Sequence, residues 1–149
     1  MRIVLDTATF ISAIRSNTGA AAEIVRLALL EKLTLLMDYK LVCEYRDVAL
    51  RPGHIAASGR TPEDVEAVID ALESIATPVF VKTSPRPLSL DENDDMVLDV
   101  AINGQADVVV TNNVKDFAPT ARRFGINVLT PRDFLTEIRK GGFHHAGES

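Results

Sequence analysis

Short apolar runs alternate along this chain with stretches whose apolar residues recur every three or four positions. The runs are Ile3-Val4-Leu5, Leu33 to Met37, Val79-Phe80-Val81, Val108-Val109-Val110 and Ile126 to Leu129, and each predicts a strand. Helical periodicity covers Thr7 to Ile14, Ala20 to Glu31, Leu41 to Leu50 and Asp94 to Asn103. Thr61-Pro62-Glu63-Asp64 predicts a further helix start, with Thr61 as N-cap, Pro62 in the first turn and Asp64 completing a capping box. Pro131 opens the last helix. Asn17-Thr18-Gly19, Pro52-Gly53 and the loop Ser84-Pro85-Arg86-Pro87 interrupt the pattern.

Apolar strands alternating with amphipathic helices predict an α/β fold, a three-layer α/β/α arrangement around a central parallel sheet. Ligands of such sheets gather at the carboxyl ends of the strands. One domain is expected over residues 1–140, followed by a flexible polar tail at 141–149 that contains His144 and His145.

Composition narrows the class. The 149 residues are 46% hydrophobic and 25% charged, which are globular values for a single core. No apolar run is long enough to span a membrane. Met1 to Asp6 reaches an acid too early for a secretory signal, and the single Cys43 excludes an intrachain disulfide, so a cytoplasmic location is expected. A net charge of −5 argues against broad attraction to nucleic acid. It leaves room for a local basic rim drawn from Arg46, Arg51, Lys115, Arg122, Arg123 and Arg132. Trp is absent and aromatics are few, so a base-stacking platform is not expected.

The candidate chemistry is acidic. Asp6 closes the first strand, where it could equally cap the helix that follows. Glu44 borders the apolar arc of Leu41, Tyr45, Val48 and Ala49, while Arg46 and Asp47 point away from it. In Asp91-Glu92-Asn93-Asp94-Asp95, acids suit a first helical turn and Asp91 could cap it. Asp94 shares a face with Leu98 and Ala101, so it is expected to point coreward, with Asp95 and Asp99 rotated away. Thr111, Asn113 and Asp116 follow the Val108–Val110 strand, where Asp116 could cap the next helix or face Asp6 across the strand ends.

Acids brought together repel one another unless a cation lies between them. Mg²⁺ suits a site of carboxylates and waters, and can activate water against a phosphodiester. No histidine is placed as a base, and no Ser-His pairing or phosphate-binding glycine loop is visible, which favours metal-activated water over a protein nucleophile.

Four segments, in this order and spacing, resemble the PIN-domain family, and within it the VapC-like toxins of bacterial toxin–antitoxin pairs. They are the strand ending in Asp6-Thr7, the segment Leu41 to Pro52, Asp91 to Leu98, and Ala106 to Phe117. The resemblance covers roughly residues 1–140. It implies catalytic acids at Asp6, Glu44, Asp94 and Asp116, with Asp6, Asp94 and Asp116 as metal ligands and Thr111 and Asn113 in support. It further implies a Mg²⁺- or Mn²⁺-dependent ribonuclease, a homodimer, and inhibition by a small antitoxin protein. Many relatives have Asn where this chain has Ala8, and Asp where it has Asn113. Single-stranded or loop RNA is the expected substrate, with Lys115 and Arg46 holding neighbouring phosphates. A housekeeping RNA-processing nuclease and a catalytically weak RNA- or protein-binding module on the same fold are the alternatives.

Overall fold

The computed structural model describes residues 1–82 and 92–141. The chain runs β1 (Arg2–Leu5), α1 (Thr7–Arg15), α2 (Ala20–Leu29), β2 (Thr34–Met37), α3 (Tyr39–Ala49), α4 (Pro52–Ser58), α5 (Pro62–Ile75) and β3 (Thr77–Pro78). It continues through α6 (Glu92–Asn103), β4 (Val108–Val110), α7 (Val114–Arg123), β5 (Asn127–Leu129) and α8 (Pro131–Arg139). All pairings in the sheet are parallel, in the order β3-β2-β1-β4-β5. Helices flank it in three layers, as the alternation of runs predicts. No helix of the described residues is long and apolar enough to cross a membrane.

β1 is the pivot of this order. Ile3, Val4 and Leu5 are buried and pair with Val108, Val109 and Val110 on one side, while Arg2 and Ile3 pair with Thr34 and Leu35 on the other. The chain first builds outward from β1 through β2 to β3, then returns to build β4 and β5 on the opposite side. Because parallel crossovers are right-handed, this reversal sends α1 to α5 to one face and α6 and α7 to the other. It also opens a crevice at the carboxyl ends of β1 and β4.

Local chemistry sets the element ends. Asp38 caps α3 by accepting the Leu41 N–H at 2.8 Å, and Thr61 and Asp64 form the expected capping box on α5. Gly104, after α6, is fixed by close approach. A Cβ there would meet the Val100 carbonyl oxygen and Val79 Cγ2 at 2.8 Å and Leu36 Cδ1 at 2.9 Å. Its own carbonyl accepts from Arg2 Nε and Nη2 at 3.0 and 2.7 Å, tying the start of β1 to the end of α6.

Two elements differ from expectation. The strand anticipated at Val79–Val81 is Thr77–Pro78. Val79 still donates its N–H to the Met37 carbonyl at 2.8 Å, but β2 ends there because Asp38 turns the chain into α3, so Phe80 has no strand to pair with and is 78% exposed. Pro52-Gly53 interrupts one helix but also starts another, α4, with Pro52 in its first turn. α4 has no fully buried residue and hence no apolar periodicity to announce it. The loop expected at 84–87, the Asp91 cap, and residues 142–149 with His144 and His145 lie outside the described residues.

Candidate functional site

Asp6 stands at the crevice, directly after β1. Its backbone N–H extends the ladder to the Val110 carbonyl, and its side chain is only 4% exposed. Oδ1 accepts the Thr9 N–H at 2.9 Å, capping α1, and Oδ2 accepts the Thr111 hydroxyl at 2.6 Å. Thr111, the first residue after β4, also accepts the Asn113 N–H at 2.9 Å. Each carboxylate oxygen of Asp6 thus takes one hydrogen bond and keeps further acceptor capacity.

The same strand end is clamped from α3. The buried Tyr45 hydroxyl donates to the Leu5 carbonyl, and its ring stacks on Phe10 of α1 with centroids 4.5 Å apart. Burial, and after it the negative charges of Asp6 and Asp38, push the Tyr45 phenol well above its ordinary pKa. The phenol therefore stays protonated and remains a donor. The clamp also sets α3 so that half-buried Glu44, the preceding residue, reaches the crevice.

Asp6, Glu44, Asp94 and Asn113 line one cavity of about 510 Å³. They come from the end of β1, from α3, from α6 and from the turn after β4. From α1 the cavity receives Ala8, Ser12 and Arg15, one stripe at spacings of four and three; from the α3–α4 corner it receives Arg51 and His54. The lining thus combines three acids with two arginines and one imidazole. A larger groove of about 1140 Å³ between Tyr39, Phe80 and Met96 contains none of these acids.

Several expected site residues lie elsewhere. Asp116 is exposed in the first turn of α7 and does not line the cavity, because the chain turns outward at Asn113 before the helix begins. Lys115 is likewise exposed outside the lining. Arg46 points to α5, where Glu66 Oε2, Asp70 Oδ1 and Glu73 Oε1 stand 3.0, 3.2 and 3.7 Å from its guanidinium. Those partners hold the Arg46 pKa above its ordinary value, the hydrogen bond to Glu66 foremost. On α6 the phase differs from expectation: Asp95 and Asp99 are each 8% exposed, more buried than half-buried Asp94. α6 lies against β1, β2 and β4 and also touches α3 and α7, so it has no single outward face.

His54 and Arg15 are the residues that periodicity missed. Both sit on short helices, and their only sequence signal is spacing: Arg15 lies at i+7 from Ala8, and His54 follows Pro52 by two.

The donor set fits a hard divalent cation in kind, since three carboxylates and an amide share the cavity. Among the described residues, however, no three His, Cys, Asp or Glu side chains are gathered tightly enough to form a coordination sphere by themselves.

Comparison with known proteins follows the same lines. The PIN domain family model matches residues 2–115. No curated protein matches the chain. Eleven chains of solved structures do. One comes from the crystal structure of VapBC2 from Rickettsia felis bound to a DNA fragment from their promoter. It shows 17% identity and a TM-score of 0.55, over 87% of this chain and 97% of that one. At that identity the likeness is one of fold.

Proposed function

This chain belongs to the PIN-domain family, and from that premise we propose that it is a metal-dependent endoribonuclease, the toxin of a toxin–antitoxin pair. One observation carries the reading: Asp6, Glu44 and Asp94, supplied by three separate elements, line one cavity at the carboxyl edge of the sheet. PIN domains are generally nucleases, and this is where an α/β sheet places its chemistry.

Asp6, Glu44 and Asp94 would hold Mg²⁺ or Mn²⁺, with Asn113 beside them. The bound ion would supply an activated water and neutralise charge on the phosphate under attack. The chain's own part is to fix these acids. Thr9 and Thr111 orient Asp6 through both oxygens, and Tyr45 holds the strand end that carries it. The substrate is single-stranded or loop RNA, since an acidic chain gains little from the dense phosphate charge of a duplex. The likeness to the VapBC2 chain supports a small antitoxin protein as partner, and the family reading supports a homodimer in the cytoplasm.

The test is incubation of purified protein with defined RNAs, with and without Mg²⁺ or Mn²⁺, beside a Glu44→Gln control. Cleavage by wild type alone, only with metal, is the expected result. Intact RNA under every condition, or cutting of duplex DNA with loop RNA spared, overturns the reading. A second reading, a binding module of low activity, is favoured by Ala8 and Asn113, which line the cavity without adding a carboxylate. RNA binding without cleavage would select it.

A further inference from the structure

We infer that Arg15 and Arg51, which line the same cavity as the acids, form a phosphate grip that holds the RNA backbone beside the phosphate under attack. The inference rests on the ribonuclease reading and adds the residues that seat the strand.

Both guanidinium groups line the cavity that contains Asp6, Glu44 and Asp94. Arg15 reaches it from the last residue of α1 and Arg51 from the N-cap of α4, and the structure holds those two helices together. Arg60, just after α4, donates Nε to the Ile14 carbonyl at 3.2 Å and Nη2 to Asn17 Oδ1 at 2.7 Å. This brace joins the end of α4 to the end of α1, where Arg15 sits.

The two arginines are also available. Arg15 is exposed and has no ion pair among the described residues. Arg51 pairs with Asp47 at 3.1 Å, but the two side chains are 59% and 69% exposed, and an ion pair so wet exchanges readily for a better partner. Arg46 is the contrast, since three acids of α5 already surround it.

Position separates the grip from the chemistry. Arg15 lies nine residues beyond Asp6 on α1, roughly 13 Å along the axis at 1.5 Å per residue. That rise separates the two backbone positions, so the Arg15 guanidinium, reaching back along α1 from its last residue, suits a phosphate next to the one under attack. Ala8 and Ser12 lie between them on the same stripe, small enough to leave the path open. A planar guanidinium fork matches phosphate oxygens in pairs, which an ammonium does not.

The experiment measures binding of a single-stranded RNA oligonucleotide in EDTA across a salt series, for wild type and for the double variant Arg15→Gln, Arg51→Gln. In EDTA the acids repel the strand, so the basic wall dominates attraction. Two lost phosphate contacts lower the slope of log K against log salt by about 1.4, at roughly 0.7 per contact on a single strand. Arg15→Lys with Arg51→Lys restores that slope. Circular dichroism confirms that the double variant is folded, as exposed side chains lead one to expect. An unchanged slope in the folded double variant, with wild type still cutting RNA in Mn²⁺, overturns the grip alone. Wild-type protein that neither binds nor cuts RNA overturns the grip together with the ribonuclease reading.

Discussion

The Thr111 hydroxyl donates to Asp6 Oδ2 at 2.6 Å across 105 positions of sequence, while the same oxygen accepts the Asn113 N–H at 2.9 Å. One side chain therefore links the ends of β1 and β4 and fixes the acid between them. Thr111→Val keeps the shape and removes both bonds, leaving a buried carboxylate oxygen and an N–H short of partners. The expected loss of stability is about 2–3 kcal/mol, with Thr111→Ser close to wild type, as read from urea melts.

Glu44 and Asp6 should separate activity from folding. Glu44 is half-buried, lines the cavity and caps nothing, so Glu44→Gln abolishes cleavage while shifting stability by no more than about 0.5 kcal/mol. Asp6 caps α1 and binds Thr111, so Asp6→Ala abolishes cleavage and also costs about 1–3 kcal/mol. Parallel activity assays and thermal melts in EDTA distinguish the two; equal destabilisation would contradict the assigned roles.

Tyr45 predicts an alkaline limit. Its pKa in the fold is raised above the unfolded value of about 10. The contribution is fully present below that unfolded value and is lost as pH rises from it toward the higher folded pKa, because the unfolded chain ionises first. Tyr45→Phe carries no such proton. Wild-type stability should fall more steeply than that of Tyr45→Phe above pH about 10, which denaturant titrations at stepped pH will check.

Asn113→Asp places a fourth carboxylate in the cavity. The variant should bind Mn²⁺ more tightly by calorimetry and melt lower in EDTA, because the added charge repels its neighbours until a cation joins them. Weaker metal binding would show that Asn113 faces the substrate instead.

Much of this architecture was legible in the residues. Ile3-Val4-Leu5 and Val108-Val109-Val110 are buried on both faces and so read as continuous apolar runs. Asp6 and Glu44 were legible because one ends such a run and the other borders a clear apolar arc. Legibility failed where burial gave no period. α4 lies on the surface and shows no apolar stripe; α6 is legible as a helix, but it is packed on several sides, so the phase that buries Asp95 and Asp99 more than Asp94 is not. That Asp116 sits exposed in the first turn of α7 and that Arg46 pairs with the acids of α5 are tertiary facts, absent from any local window. His54 and Arg15 enter the cavity only because α1 and α4 meet, which no pattern within either helix records.

The long reach between β1 and β4 has a consequence for synthesis. Because β1 is central, its side facing Val108–Val110 stays an open edge until those residues have left the ribosome. Asp6 then lacks its Thr111 partner, and the crevice lacks the turn after β4 that carries Asn113. A chain shorter than about 110 residues therefore carries the acids but not the Thr111 hydroxyl that fixes Asp6. On the ribonuclease reading proposed above, that ordering leaves unfinished chains without the assembled crevice and gives a partner time to meet the finished one.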